Sequence, residues 1–176
     1  MRLSIIESQE KVTEKIKECI TAEMCEDGLL EDVETFVPSY RMDEPMEEPL
    51  VWLFEHPTTV ADPKSGALSQ RMLLQTPFEF VCVVYDEEDI EQSEMLGKNL
   101  ASRVAASIAC NAHKFADGGR LFNRVKFDTL YPVGEVLIDE KSEKAPATSV
   151  RIIVEYYVDW RLCCKKELEN NDNQGD

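Results

Sequence analysis

Cys110 and His113 stand three positions apart in "IACNAHK", which on a helix puts the two side chains on neighbouring turns of one face, where a thiolate and an imidazole can share a metal ion. Two ligands do not make a site. The only other histidine is His56, and no second Cys/His pair occurs at ligand spacing, so the expected role of His113 is a helix-end residue favoured by the C-terminal dipole. Carboxylates crowd into "MDEPMEEP" and "DEEDIEQSE", which read as solvated turn and helix-start charge. Acid–base work would require them to converge on one cleft from separate strands. "DGGR" (117–120) lacks both the phosphate-cradling spacing and the Lys-Ser/Thr that follows it, and reads as a helix stop. The chain also has no G-x-S-x-G, H-E-x-x-H or P-loop. No catalytic, cofactor-binding or metal-ligating residue is assigned, and no enzymatic activity or cofactor is expected.

Charge narrows the partners. Nineteen Lys and Arg face 35 Asp and Glu across 176 residues, a formal net charge of -16. Such a chain repels phosphate backbones and anionic lipid surfaces wherever screening is incomplete, so neither direct nucleic-acid affinity nor membrane binding is expected. No apolar run approaches the ~20 residues that span a bilayer, and "MRLSII" has no hydrophobic region behind it, which points to a cytoplasmic site of synthesis and assembly. The six cysteines, Cys19, Cys25, Cys82, Cys110, Cys163 and Cys164, include no C-x-x-C pair and read as reduced thiols, some packed as small apolar side chains.

These residues need elements to hold them. Ser4 and Glu7 form a capping box, and Ile5, Val12, Ile16, Cys19 and Ile20 recur at helical spacing, predicting a helix from about Ile5 to Cys25 closed by Gly28. "VETFVPSYRMDEPMEEP" holds Pro38, Pro45 and Pro49 and reads as an extended, partly strand-like crossing. Strands follow at "LVWLFEH" (50–56) and "RMLLQTPFEFVCVVYD" (71–86), joined by "PTTVADPKSGALSQ", a long hairpin loop of the kind that is functional or mobile. Asp89 and Gln92 cap a second helix from Ile90 to Lys114, about 37 Å long at 1.5 Å per residue. Its stripe is Leu96, Leu100, Val104, Ile108 and Ala112, widened by Ala101, Ala105 and Ala109, whose small side chains let a sheet approach closely.

"LFNRVKFDTLYPVGEVLI" (121–138) supplies one or two further strands, broken near Pro132 and Gly134. "DEKSEKAPA" is a polar turn, and "TSVRIIVEYYVDWRL" (148–162) alternates apolar and mixed residues throughout. That final strand would extend about 50 Å, against a diameter near 40 Å for a compact chain of this size. It is expected to overhang or bend around its own domain. Hairpins on either side of one helix predict an α+β fold: an antiparallel or mixed sheet of about four to five strands, with an N-terminal helix and one long helix on one face. Residues 1–164 are expected to make a single domain and 165–176 a disordered acidic tail. Trp52 and the group Tyr156, Tyr157 and Trp160 lie in strands as core or interface aromatics. Ile153 and Tyr157, on the wetter side of the last strand, suggest that something covers it.

The order and spacing of these pieces resemble one family. An N-terminal helix, a Pro-bearing acidic crossing ending in "EEPLVWLFEH", a long hairpin loop, "FEFVCVVYD", the helix "EQSEMLGKNLASRVAASIA" and the closing "TSVRIIVEYYVDWRL" are similar to the tail terminator, or tail completion, proteins of long-tailed bacteriophages, over residues 3 to 164. The resemblance implies a structural virion protein that forms a hexameric ring, caps the finished tail tube and joins it to the head connector. Its partners would be copies of itself, the tail tube protein and the connector protein. Its site is the virion, assembled in the host cytoplasm. The longer crossing and the acidity depart from the typical member. An overhanging strand edge suits head-to-tail contact between copies, and an acidic ring would not retard DNA passing through it. Trp52, Asp62, Lys64, Tyr157 and Trp160 are the expected interaction residues. The alternative reading is an acidic mimic of DNA that inhibits a host nucleic-acid enzyme, which the net charge supports equally.

Overall fold

The fold is given by a computed structural model describing residues 5–38, 48–61, 72–85, 89–112, 123–137 and 144–158. Helix α1 spans Ile5–Ala22 and helix α2 spans Ile90–Asn111. The strands are β1 (Thr35–Val37), β2 (Leu50–Glu55), β3 (Thr59–Val60), β4 (Met72–Val83), β5 (Arg124–Leu137) and β6 (Lys144–Val158). They form one mixed sheet in the order β1-β2-β4-β6-β5, with β3 also paired to β4. Only β1 and β2 run parallel; the other pairings are antiparallel. The class is α+β as expected, and the six-stranded count exceeds four to five because β1 and β3 are pieces of three and two residues, too short to show a period.

Both helices cover one face. Val12, Ile16, Cys19 and Ile20 of α1 and Leu100, Ala101, Val104 and Ile108 of α2 pack on Val51 and Leu53 of β2, Phe78, Phe80 and Cys82 of β4, and Val150 to Val158 at alternate positions of β6. Burying side chains of this size is worth about 1.5–3 kcal/mol each. The capping prediction for α2 holds: Asp89 Oδ1 accepts the Gln92 amide at 3.0 Å. The contact stripe of α2 is more polar than expected, because Ser93, Gly97, Ser107 and Asn111 are buried while Ala109 is exposed. Gly97 faces the sheet at close range: a Cβ there would lie 3.4 Å from Thr148 Oγ1 and 3.8 Å from the Cys82 carbonyl.

Helix α1 ends at Ala22 rather than Cys25. Past it the chain turns tightly, with Gly28 donating to the Cys25 carbonyl at 2.8 Å and Leu30 to the Glu23 carbonyl at 2.9 Å. A side chain at Gly28 would meet the Glu23 carbonyl oxygen at 2.2 Å, so the turn requires glycine. Arg103 of α2 clamps this turn, donating to both Asp32 carboxylate oxygens (2.5 and 2.8 Å) and to the Leu29 carbonyl (3.1 Å). Ser4, of the expected capping box, lies outside the described residues.

The last strand is placed differently from the expectation. It spans Lys144–Val158 instead of 148–162, and residues 159–162 lie outside the described residues. Its central stretch, Ala147 to Glu155, is flanked on both sides: β4 pairs with Ala147 to Val158 and β5 with Lys144 to Glu155. Two neighbours nearly as long as β6, shifted in opposite directions, leave only Lys144 to Pro146 and Tyr156 to Val158 with a partner on one side among the described residues. The outer strand is β5, a single strand with register shifts between Phe127 and Thr129 and between Pro132 and Gly134. The second shift falls where a break was expected, and Gly134 takes φ +110° there. The long hairpin loop is also shorter than expected: Thr59 and Val60 pair with Gln75 and Leu74, and Ala61 donates to the Leu73 carbonyl at 2.9 Å.

Candidate functional site

Strand parity decides what the face opposite the helices displays. Even positions of β2 and odd positions of β4 and β6 point there, and the register aligns them into rows: Trp52, Val81, Ser149 and Tyr131 in one, Phe54, Glu79, Arg151 and Thr129 in the next. At the β2 side lies a second apolar cluster of buried Leu50, Val81, Val83, Ala145 and Ala147, with Val37, Trp52, Phe54 and Tyr85 packed on it. The Trp52 and Phe54 rings lie 4.6 Å apart between centroids and are tilted by 38°.

Glu79 occupies the middle of this face with its side chain only 14% exposed. One carboxylate oxygen accepts from Tyr131 Oη (2.6 Å) and Ser149 Oγ (2.7 Å), and the other from His56 Nε2 (2.6 Å). Burial alone would push its carboxyl upward, but the bonds from Ser149, Tyr131 and His56 outweigh it and hold Glu79 below the usual glutamate range. The Tyr131 phenol is lifted chiefly by its bond to Glu79. Serine, histidine and a carboxylate meet here, yet in an order unlike that of a nucleophilic triad: Ser149 and His56 both bond to Glu79, and Ser149 is fully buried. The arrangement ties four elements together through one anion.

Nearer β5, Lys126 pairs with Glu155 and Arg151 Nε donates to Asp128 Oδ2 at 2.5 Å. Asp128 is the extra residue of the first bulge, which re-aims it toward Arg151. The edge of β5 is the longest strand edge with no pairing partner among the described residues. Two bulges, Pro132 and the charged Arg124 and Lys126 blunt it against plain strand addition, so contacts made there rely on side chains and short backbone stretches. Phe127 shares the helix-side parity of Val125 and Leu130 yet is 61% exposed, and Val133 is 46% exposed.

The expected interaction residues are not gathered in one place. Trp52 is half-buried in the second apolar cluster, whereas Tyr157 is 44% exposed and pairs with Leu73. Along β4 their partners Val81 and Leu73 are eight positions apart, about 27 Å. Ile153 is half-buried on the same face as Tyr157. Asp62, Lys64 and Trp160 lie outside the described residues. Reasoning from sequence missed Glu79 and Phe127. An acid between Phe78 and Phe80 in a strand was the signal for the first, and nothing distinguished the second from a core aromatic.

Cys19 and Cys82 are buried free thiols, and Cys25 and Cys110 are exposed ones. Among the described residues no three His, Cys, Asp or Glu side chains gather as a metal site, and no helix is long and apolar enough to cross a membrane. No protein-family model and no curated protein matches the chain.

Proposed function

We propose that this chain is a structural assembly subunit of the kind it resembles, a phage tail terminator whose copies close into a ring that caps the tail tube and meets the head connector. One observation carries the reading: a fourteen-residue outer strand, β5, unpaired on one side among the described residues and displaying Phe127 and Val133 to solvent. An exposed aromatic and an exposed aliphatic side chain on a partly blunted edge are what a side-chain-mediated subunit contact uses. The gripped element in this reading is β5 rather than the terminal strand, whose central stretch Ala147 to Glu155 is paired on both sides. The element order helix, crossing, hairpin, helix, hairpin, on which the resemblance rests, supports the same reading.

The experiment is solution mass combined with negative-stain imaging of the purified chain across a concentration series. Closed rings of uniform diameter are expected. A chain that stays monomeric throughout and binds a basic nucleic-acid enzyme one to one would replace this reading with the DNA-mimic one.

A further inference from the structure

Among the described residues acidity is unevenly distributed. Residues 5–38, which contain α1 and the turn behind it, carry ten Asp and Glu against three Lys and Arg, whereas the described residues of β5 and β6 carry three against four. Helix α1 is tied to the β2 side of the sheet, where Glu55 accepts from Gln9 Nε2 (2.5 Å) and Thr13 Oγ1 (2.8 Å). Between them lies a groove of about 500 Å³ whose walls include Ile6, Glu10, Glu14 and Glu55, with Lys17 as its one cationic lining residue. Ile6 is 68% exposed at its mouth. Strands β4 and β6 separate β2 from β5, so the groove and the β5 edge stand on opposite flanks of the sheet.

The start of β5 has the complementary chemistry. Arg124 is exposed, Phe127 projects as an apolar knob, and Arg124 has no ion-pair partner among the described residues; the same holds for Glu10 and Glu14 of the groove. We propose that the groove between α1 and β2 receives the β5 edge of a second copy of this chain edge-on, with Phe127, on the helix-side face of the strand, seated against Ile6 and Arg124, on the opposite face, reaching Glu10 and Glu14 further along α1. Because donor edge and acceptor groove are different surfaces on opposite flanks, the contact is heterologous and repeats from copy to copy, which closes into a ring when the rotation permits. The inference rests on the ring reading and names its seam. Self-association of a chain with net charge -16 is favoured where its acidic excess is absent, and β5, with two Lys and Arg against two Asp and Glu, is such a surface among the described residues.

The test is a charge exchange read by sedimentation velocity at low and moderate salt. Arg124→Glu and, separately, Phe127→Ser alter exposed side chains and should leave the circular-dichroism melting curve unchanged. Each should raise the concentration for half-assembly at least about tenfold, since like charges across a contact and loss of a central aromatic are both costly. Adding Glu10→Arg and Glu14→Arg to Arg124→Glu should restore assembly. If the wild type forms rings and the single variants assemble as it does, or the triple variant fails to recover, the seam is wrong while the ring stands. If the wild type remains monomeric at every concentration, ring and seam fall together.

Discussion

Glu79 is the residue on which the face opposite the helices depends. Its carboxylate is held below the ordinary range by three donors from separate elements, so its stabilising contribution is full above that range and is lost as pH falls through the lowered value of the folded state. Glu79→Gln keeps the shape but weakens three charge-assisted bonds and should cost about 1–3 kcal/mol at neutral pH, read by urea unfolding. The difference between the two proteins should shrink as the solution is acidified below the glutamate range. A constant difference down to strongly acidic pH would mean that the carboxylate charge is not what Tyr131, Ser149 and His56 respond to. At the opposite face, Val154 and Val158 are 0% and 1% exposed, and Lys at both positions would bury unpaired ammonium groups. That double variant should be unfolded by circular dichroism.

Two elements depend on glycine for different reasons. At Gly28 the obstacle is backbone: a Cβ would press on the Glu23 carbonyl at 2.2 Å, so Gly28→Ala should open the turn after α1 and lower stability by about 1–3 kcal/mol. At Gly97 the nearest atom is a hydroxyl at 3.4 Å, ordinary contact, and alanine is a better helix former. Gly97→Ala should therefore be neutral or stabilising by up to about 1 kcal/mol, whereas Gly97→Leu should push α2 off Thr148 and destabilise by about 1–3 kcal/mol. Thermal melts of the three variants check both statements. A Gly97→Ala protein that melts lower than the wild type would contradict the spacing assigned to α2.

Much at this scale is legible in the sequence. Helical spacing and the Asp89 cap locate α2, and period-two alternation identifies the faces of β4 and β6. The neighbours of a strand are not legible, because alternation reports which face is buried and says nothing about which edge is paired. That is why β6 reads as an overhanging edge while the structure flanks its central stretch on both sides, and why β5, whose pattern is disturbed by bulges, hides its role as the outer strand. The Glu79 network is hidden for a related reason: its four members come from the end of β2 and from β4, β5 and β6, and only the register brings them together.

Across the whole molecule, polarity is the organising property. Among the described residues the helices and core occupy one face, acidic charge accumulates on the α1 flank, and the opposite flank ends in a long strand edge with exposed apolar side chains. A subunit with unlike flanks has the asymmetry that head-to-tail assembly requires and that a two-fold dimer does not. The same α1 flank is where a DNA mimic would concentrate its charge, so acidity alone does not separate the two readings, whereas the fate of β5 does.

A cryo-EM reconstruction of the assembled chain tests the account most directly. It should show closed rings in which the β5 edge of every copy, with Phe127, is buried in the seam against its neighbour. Rings held together elsewhere, with β5 facing solvent in every copy, would contradict it.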